Sequence, residues 1–123
     1  MSKRITVYEK PTCSTCRNLA TLFRENCIDH NKVNYFIQPL TEDKLSQLIR
    51  KTGLRPFEVL RKGEAEFKEL GLSSETPDGE IIAAIVKHPN LLQRPIVEVG
   101  DLAVLARPVE KALGLIADSG LNA

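Results

Sequence analysis

The segment ITVYEKPTCSTCR, residues 5–17, decides the predicted fold of this chain. It begins with residues 5–8, which are β-branched or aromatic and predict a short strand. Pro11 follows the strand, and Cys13 and Cys16 stand three positions apart where a helix is predicted to begin. A strand that leads directly to two thiols at the start of a helix indicates a chemically active site.

The rest of the chain predicts a second strand, a block of helices, a hairpin and a last helix. Ser14 or Thr15 is predicted to cap the first helix. The later predicted elements are a strand at 33–37, a helix from Thr41 to Gly53, a helical turn from Pro56 to Gly63, a helix from Pro77 to Lys87, a hairpin of 95–99 and 102–106, and a helix from Pro108. This order resembles an α/β thioredoxin-like fold with a helical insertion between its βαβ and ββα halves. We expect residues 1–123 to form a single domain.

The composition excludes several classes of protein. A hydrophobic content of 42% and a charged content of 27% predict an ordinary globular chain. The formal net charge of +1 supplies no basic field for nucleic acid or a membrane surface. No apolar run approaches the roughly 20 residues of a membrane span, and the charged beginning, MSKR, is not typical of a signal peptide. We therefore expect a cytoplasmic protein with reduced cysteines, which binds no membrane and no nucleic acid directly.

Cys13 is the predicted nucleophile. Cysteine chemistry is performed by the thiolate, and an ordinary cysteine is mostly protonated at neutral pH. The free backbone N–H groups and the dipole at a helix N-terminus favour an anion there. Arg17, one turn further on, is expected to add positive charge.

Cys16 has two interpretations that the residues leave open. It is either a resolving thiol, which attacks a disulfide or adduct on Cys13, or a small buried residue that packs against the sheet. A zinc site is disfavoured because no second pair of ligands with suitable spacing follows. Cys27 is predicted to pack in the core.

Three arginines stand in unusual contexts. Arg61 lies in EVLRKGE, Arg94 precedes a predicted strand in LLQRPIVEV, and Arg107 ends one in VLARPVEKAL. Each by itself is compatible with a surface salt bridge. If the three converge on Cys13, they form a pocket for an oxyanion, because guanidinium groups bind such anions through two parallel hydrogen bonds.

At these residues the sequence resembles the glutaredoxin-dependent arsenate reductase family, also called ArsC. The resemblance runs through ITVYEKPTC, LRKGE, ELGL, KHPNLLQRPIV and LARPVEKAL. It implies that Cys13 is the nucleophile and that the three arginines, Arg61, Arg94 and Arg107, bind or stabilise the arsenical. It also implies a cis peptide bond before Pro95, where thioredoxin-like folds commonly have one beside the active thiol.

The resemblance further implies the reaction and its partners. The substrate is arsenate or a similar oxyanion, glutathione is the reductant, and glutaredoxin recycles the mixed disulfide. No metal and no bound cofactor are expected, and the protein is expected to be a monomer. Two residues depart from the best-known members, which have a histidine in place of Glu9 and a serine in place of Cys16. A carboxylate near the thiol would oppose its ionisation, and a second thiol permits an internal disulfide.

Two other functions remain open. The Spx-type transcription regulators share this fold, have a Cys-x-x-Cys redox switch at the same place and bind RNA polymerase. They lack a segment like LARPVEKAL, so Arg107 with Pro108 favours a reductase. The second alternative is a glutathione-dependent thiol reductase that uses the arginines for another anion.

Overall fold

Two compact units make up the chain in the computed structural model, which describes residues 4–120. The sheet unit comprises the residues up to Gln38 and those from Arg94 onward, and the helical unit comprises Pro39–Gln93. No helix within residues 4–120 is long and apolar enough to cross a membrane. The assignment of residues 1–123 to a single domain stays a prediction.

The sheet unit contains four strands and two helices within residues 4–38 and 94–120. They are β1 (Ile5–Glu9), α1 (Ser14–Glu25), β2 (Asn31–Asn34), β3 (Ile96–Val99), β4 (Leu102–Leu105) and α5 (Lys111–Asp118). The strand order is β2-β1-β3-β4, with β2 parallel to β1 and the pairs β1–β3 and β3–β4 antiparallel. The predicted βαβ and ββα halves are therefore confirmed, and the hairpin turns at Gly100, where φ is 58°.

One apolar cluster holds both helices on the sheet. Val7 of β1 pairs with Val97 of β3, and both are buried together with Leu19 and Phe23 of α1. Ala112, Leu115 and Ile116 of α5 belong to the same cluster. Full burial of one such aliphatic or aromatic side chain contributes about 1.5–3 kcal/mol, which exceeds the net contribution of a typical hydrogen bond. Apolar burial thus holds α1 and α5 against the sheet.

The second strand differs from its prediction. It was expected over 33–37, but β2 ends at Asn34. The Asn34 side-chain oxygen accepts a hydrogen bond from the Phe36 backbone N–H at 3.0 Å, and the Asn34 carbonyl accepts from the N–H groups of Ile37 and Gln38. Asparagine favours such turns because its side chain competes with the sheet for backbone donors. Residues 35–38 therefore form a turn, in which Ile37 is 77% exposed.

The last helix also begins later than predicted, at Lys111 instead of Pro108. The N–H groups of Lys111, Ala112 and Leu113 donate to carbonyls only three residues earlier. Residues 108–110 thus form tight turns before the α-helical pattern begins. The Arg107–Pro108 peptide bond is cis, which the sequence did not predict.

The helical unit contains three α-helices and two short 3-10 helices within its described residues. They are α2 (Glu42–Thr52), a 3-10 helix (Pro56–Val59), α3 (Ala65–Glu69), α4 (Asp78–Lys87) and a 3-10 helix (Pro89–Leu91). Thr41 caps α2 by accepting the Lys44 N–H at 3.1 Å, and Gly53 ends it with φ of 75°. Both ends were predicted. The short α3, which has no buried residue, was not.

The helical turn from Pro56 ends at Val59, before the predicted Gly63. Residues 59–61 are instead paired with residues 91–93 through a bridge between Leu60 and Leu92. The Arg61 N–H donates to Leu91 O at 2.7 Å, and the Gln93 N–H donates to Val59 O at 2.8 Å. This pairing holds the chain extended, so the helix cannot continue.

Cys27 is exposed, and the prediction that it packs in the core is wrong. It follows the last turn of α1 in the left-handed conformation, with φ of 54°. The Cys27 N–H bonds to Arg24 O at 3.2 Å and the Ile28 N–H bonds to Phe23 O at 2.9 Å, the two bonds of a Schellman motif. Glycine usually fills this position, because L-residues, which have a β-carbon, are sterically strained there.

We expect Cys27→Gly to raise the free energy of unfolding by about 0.5–1 kcal/mol. Relief of the left-handed strain exceeds the added chain entropy of glycine in the unfolded state. Thermal unfolding followed by circular dichroism measures the effect, and a rise in Tm of about 3 °C is expected. Cys27→Ala retains a β-carbon and should show no such gain. An equal Tm for the two variants would contradict the explanation.

Candidate active site

Cys13 is itself the N-cap of α1, and the prediction of Ser14 or Thr15 at this position is wrong. Its φ of −78° and ψ of 127° are extended, and Ser14 is the first helical residue. The Cys13 N–H donates to Lys10 O at 2.9 Å, and its carbonyl accepts the Arg17 N–H at 3.0 Å. Cys13 therefore stands at the N-terminus of α1, where the first backbone N–H groups have no partner within the helix.

The pKa of the Cys13 thiol lies below its ordinary value. Partial burial acts against this and raises the pKa. It is outweighed by hydrogen bonds to the sulfur from the Cys16 backbone N–H and thiol, the Thr15 backbone N–H and the Arg94 guanidinium. Each of these donors stabilises the thiolate relative to the thiol. These hydrogen-bond donors support the prediction that Cys13 is an ionised nucleophile.

Arg17 contacts the loop between β1 and α1, and it is not among the groups that lower the pKa of Cys13. Its exposed side chain donates from Nη1 to the Thr12 carbonyl at 2.9 Å. The expectation that Arg17 assists ionisation directly is therefore not supported. Its observed contact is with the residue that precedes the nucleophile.

Arg94 is the arginine that contacts the nucleophile. It is only 5% exposed, and its guanidinium carbon lies 5.7 Å from the centroid of the Phe36 ring. The peptide bond between Arg94 and Pro95 is cis, as predicted. A hydrogen bond from the guanidinium to Cys13 places a positive charge where an anionic substrate would meet the thiolate.

Arg107 joins the same group of residues from the end of β4. Its Nη1 donates to the Arg94 carbonyl at 3.0 Å and lies 3.4 Å from Thr15 Oγ1. The first contact tethers Arg107 to the backbone that carries Arg94, and the second reaches the first turn of α1. Cys13, Arg94 and Arg107 therefore lie together in the sheet unit.

Cys16 is buried, at 2% exposure. Burial raises the pKa of its thiol to about 12, and the hydrogen bond and charge of Cys13 and the charge of Glu9 act in the same direction. Cys16 is thus a protonated donor to the Cys13 thiolate at neutral pH. Glu9 is also buried. Its charge raises the pKa of Cys16, and it is not among the groups that shift the pKa of Cys13.

Arg61 belongs to the helical unit, so its approach to Cys13 stays a prediction. Its Nε is buried and has no hydrogen-bond partner among residues 4–120. A buried guanidinium nitrogen without a hydrogen-bond partner is energetically costly.

Phe36 and Lys10 were not identified from the sequence. Lys10 Nζ lies 4.7 Å from the centroid of the Phe36 ring, which also contacts Arg94. The available signal was an aromatic residue two positions after the end of β2, within the predicted strand 33–37. Within the described part of the chain, no group of three or more His, Cys, Asp or Glu side chains is arranged to hold a metal ion.

Comparison with known proteins identifies the family. The sequence model of the ArsC family matches residues 8–114, which include Cys13 and all three arginines. This chain belongs to the ArsC family. An arsenate reductase of Yersinia enterocolitica is 35% identical over 113 residues, covering 91% of this chain and 80% of that protein.

Solved structures confirm the fold of this ArsC-family chain. The structure of an arsenate reductase from Vibrio cholerae superimposes with a TM-score of 0.86 at 29% identity, covering 93% of this chain and 98% of the other. The α/β thioredoxin-like prediction is therefore confirmed. Another relative of this chain has a name that states no activity. The uncharacterized protein YfgD of Escherichia coli (strain K12) is 32% identical over 118 residues, covering 94% of this chain and 99% of YfgD.

Proposed function

We propose that this ArsC-family protein reduces arsenate to arsenite, with Cys13 as the nucleophile. The feature that carries the proposal is the Cys13 thiol at the N-cap of α1, whose pKa is lowered in part by the guanidinium of the buried Arg94. This arrangement joins a nucleophile to an oxyanion-binding cation. The oxyanion is proposed to be arsenate, because relatives of this chain are named arsenate reductases.

The first step forms a bond between sulfur and arsenic. The Cys13 thiolate attacks arsenic(V), and an arsenate oxygen leaves with protons from solvent as water. Arsenic remains pentavalent in the resulting thiol–arsenate adduct. Arg94 and Arg107 in the sheet unit, and Arg61 from the helical unit, are proposed to bind the oxygens and balance their developing charge. Electrostatic stabilisation of this kind is commonly the largest single contribution to catalysis.

The second step reduces the arsenic. A thiolate attacks the Cys13 sulfur, a disulfide forms, and the electron pair of the sulfur–arsenic bond passes to arsenic as arsenite leaves. Glutathione is the proposed attacking thiol, and glutaredoxin then reduces the mixed disulfide. No bound metal is proposed to take part, because two thiols supply both electrons. We also propose that the protein is a cytoplasmic monomer.

The test is arsenate-dependent NADPH oxidation in the presence of glutathione, glutathione reductase and glutaredoxin. Arsenite is quantified in the same reaction, so that uncoupled oxidation is not counted as turnover. We expect one arsenite per NADPH consumed. If the protein forms no arsenite while Cys13 still reacts with iodoacetamide, arsenate is not its substrate.

Cys16 is a second candidate for the attacking thiol, because it lies within hydrogen-bonding reach of the Cys13 sulfur. Attack by Cys16 would give a Cys13–Cys16 disulfide and release arsenite without glutathione. We expect a single turnover without glutathione to give up to one arsenite per wild-type protein and none from Cys16→Ser. With glutathione added, Cys16→Ser should still turn over.

Serine is the informative replacement for Cys16, because its hydroxyl can still donate to the Cys13 thiolate. Cys16→Ala removes the donor as well and should additionally lower the reactivity of Cys13 at pH 7. If wild-type protein releases arsenite only when glutathione is present, Cys16 is a hydrogen-bond donor and not a resolving thiol.

A further inference from the structure

The ring of Phe36 lies against two cations beside the nucleophile. Lys10 Nζ is 4.7 Å and the Arg94 guanidinium carbon 5.7 Å from the ring centroid. Both distances are within the range in which the negative face of an aromatic ring attracts a cation. All of these groups belong to the sheet unit.

The position of Phe36 is well defined by its own neighbours. The Asn34 side chain accepts the Phe36 backbone N–H at 3.0 Å and thereby shapes the turn after β2. The Tyr35 ring, which is buried, lies 5.0 Å from the Phe36 ring between centroids. A ring held by a turn and a buried neighbour can restrict the arginine that packs on it.

The two cations differ in their relation to Cys13. The Arg94 guanidinium donates to the Cys13 sulfur, whereas the Lys10 side chain is not among the groups that lower the pKa of that thiol. An arginine side chain has many rotamers, and holding one of them costs conformational entropy. A contact that restricts Arg94 beforehand reduces this cost at the moment when the thiolate or a substrate must be bound.

We propose that Phe36 is a positioning residue, whose ring holds the Arg94 guanidinium in the orientation that serves Cys13. It acts through Arg94 and touches neither the thiol nor the substrate in this role. The inference deepens the proposed function, since Arg94 is also a proposed oxyanion ligand. Its test concerns the thiol alone and needs no arsenate, so it can fail while arsenate reduction holds, or hold while arsenate reduction fails.

The test measures the rate of Cys13 alkylation by iodoacetamide as a function of pH. All variants carry Cys27→Ser, which removes the exposed thiol, and Cys16 is slow to react because it is buried with a raised pKa. Phe36→Leu keeps apolar volume but loses the ring. We expect its alkylation rate at pH 7 to fall about threefold and the midpoint of the profile to move to higher pH.

Three comparisons separate positioning from a general structural effect. Phe36→Tyr retains the ring and should restore the wild-type profile. Lys10→Met removes the other cation on the ring and should leave the midpoint unchanged. Phe36→Leu combined with Arg94→Ala should shift the profile no further than Arg94→Ala alone, because the ring acts through the arginine. Circular dichroism establishes that each variant is folded, and Phe36→Met is a second ringless variant.

The inference is overturned if folded Phe36→Leu or Phe36→Met retains the wild-type midpoint. It is also overturned if the shifts of Phe36→Leu and Arg94→Ala simply add in the double variant. A shift by Lys10→Met as large as that by Phe36→Leu would instead assign the effect to the lysine.

Discussion

Cys13→Ser is expected to reduce arsenate-dependent turnover at least about a thousandfold. The serine hydroxyl would occupy the same N-cap position and face the same donors from Thr15, Cys16 and Arg94. An alkoxide is far harder to form than a thiolate, and the oxygen cannot form the disulfide that delivers two electrons. Serine is a favoured N-cap residue, so the variant should fold normally. Coupled NADPH oxidation and arsenite formation measure the loss.

Cys27→Ser is the matched control for this variant. It removes an exposed thiol at the opposite end of α1, where no proposed site residue lies. Its turnover should equal that of the wild type. If Cys13→Ser retains a tenth of wild-type turnover, or if Cys27→Ser loses most of it, the nucleophile has been assigned incorrectly.

Arg94→Ala is expected to lower kcat/KM for arsenate by about a hundredfold to a thousandfold. The guanidinium has two functions that are lost together, one as a donor to the Cys13 thiolate and one as a proposed ligand of the oxyanion. The donor holds the pKa of Cys13 down, so its removal raises that pKa. At neutral pH the thiolate fraction then falls, and the lost activity should be partly recovered at higher pH. A pH profile of kcat/KM measures both effects.

Two further arginine variants make the result specific. Arg94→Lys keeps a positive charge but loses the planar pair of donors, so we expect a loss intermediate between wild type and Arg94→Ala. Arg55 has an exposed side chain that forms an ion pair with Asp78 at 3.6 Å, and Arg55→Ala should leave turnover unchanged. A profile for Arg94→Ala that is lower than wild type by the same factor at every pH would show that Arg94 does not control the thiol.

Local elements could be predicted where neighbouring residues determine them. Thr41 and Gly53 gave the ends of α2 because capping and left-handed termination depend on a few adjacent residues. The same local rules misplaced the end of β2, where Asn34 turns the chain. They also placed Cys27 in the core, because it follows Leu19 and Phe23 at helical spacing, although a Schellman motif ends α1 before that position. Periodicity predicts a face of a helix but not where the helix stops.

The candidate site could be predicted only in part. The spacing of the two cysteines and the contexts of the arginines indicated which residues to consider, and the cis bond before Pro95 followed from the family resemblance. The sequence pattern did not show which of these groups donate to the Cys13 sulfur, or that the Phe36 ring lies beside Arg94. Convergence of Arg61 on this group stays a prediction.

The sequence by itself determined a strand that leads to a thiol at a helix N-terminus, because hydrophobic pattern and helix-start signals act over a few residues. Tertiary structure alone decided that Arg94 reaches Cys13 and that Arg107 reaches both the Arg94 carbonyl and Thr15. These contacts join the first helix to segments near the other end of the chain, through long side chains with many rotamers. Their geometry depends on the β2-β1-β3-β4 order of the sheet, which no local pattern specifies.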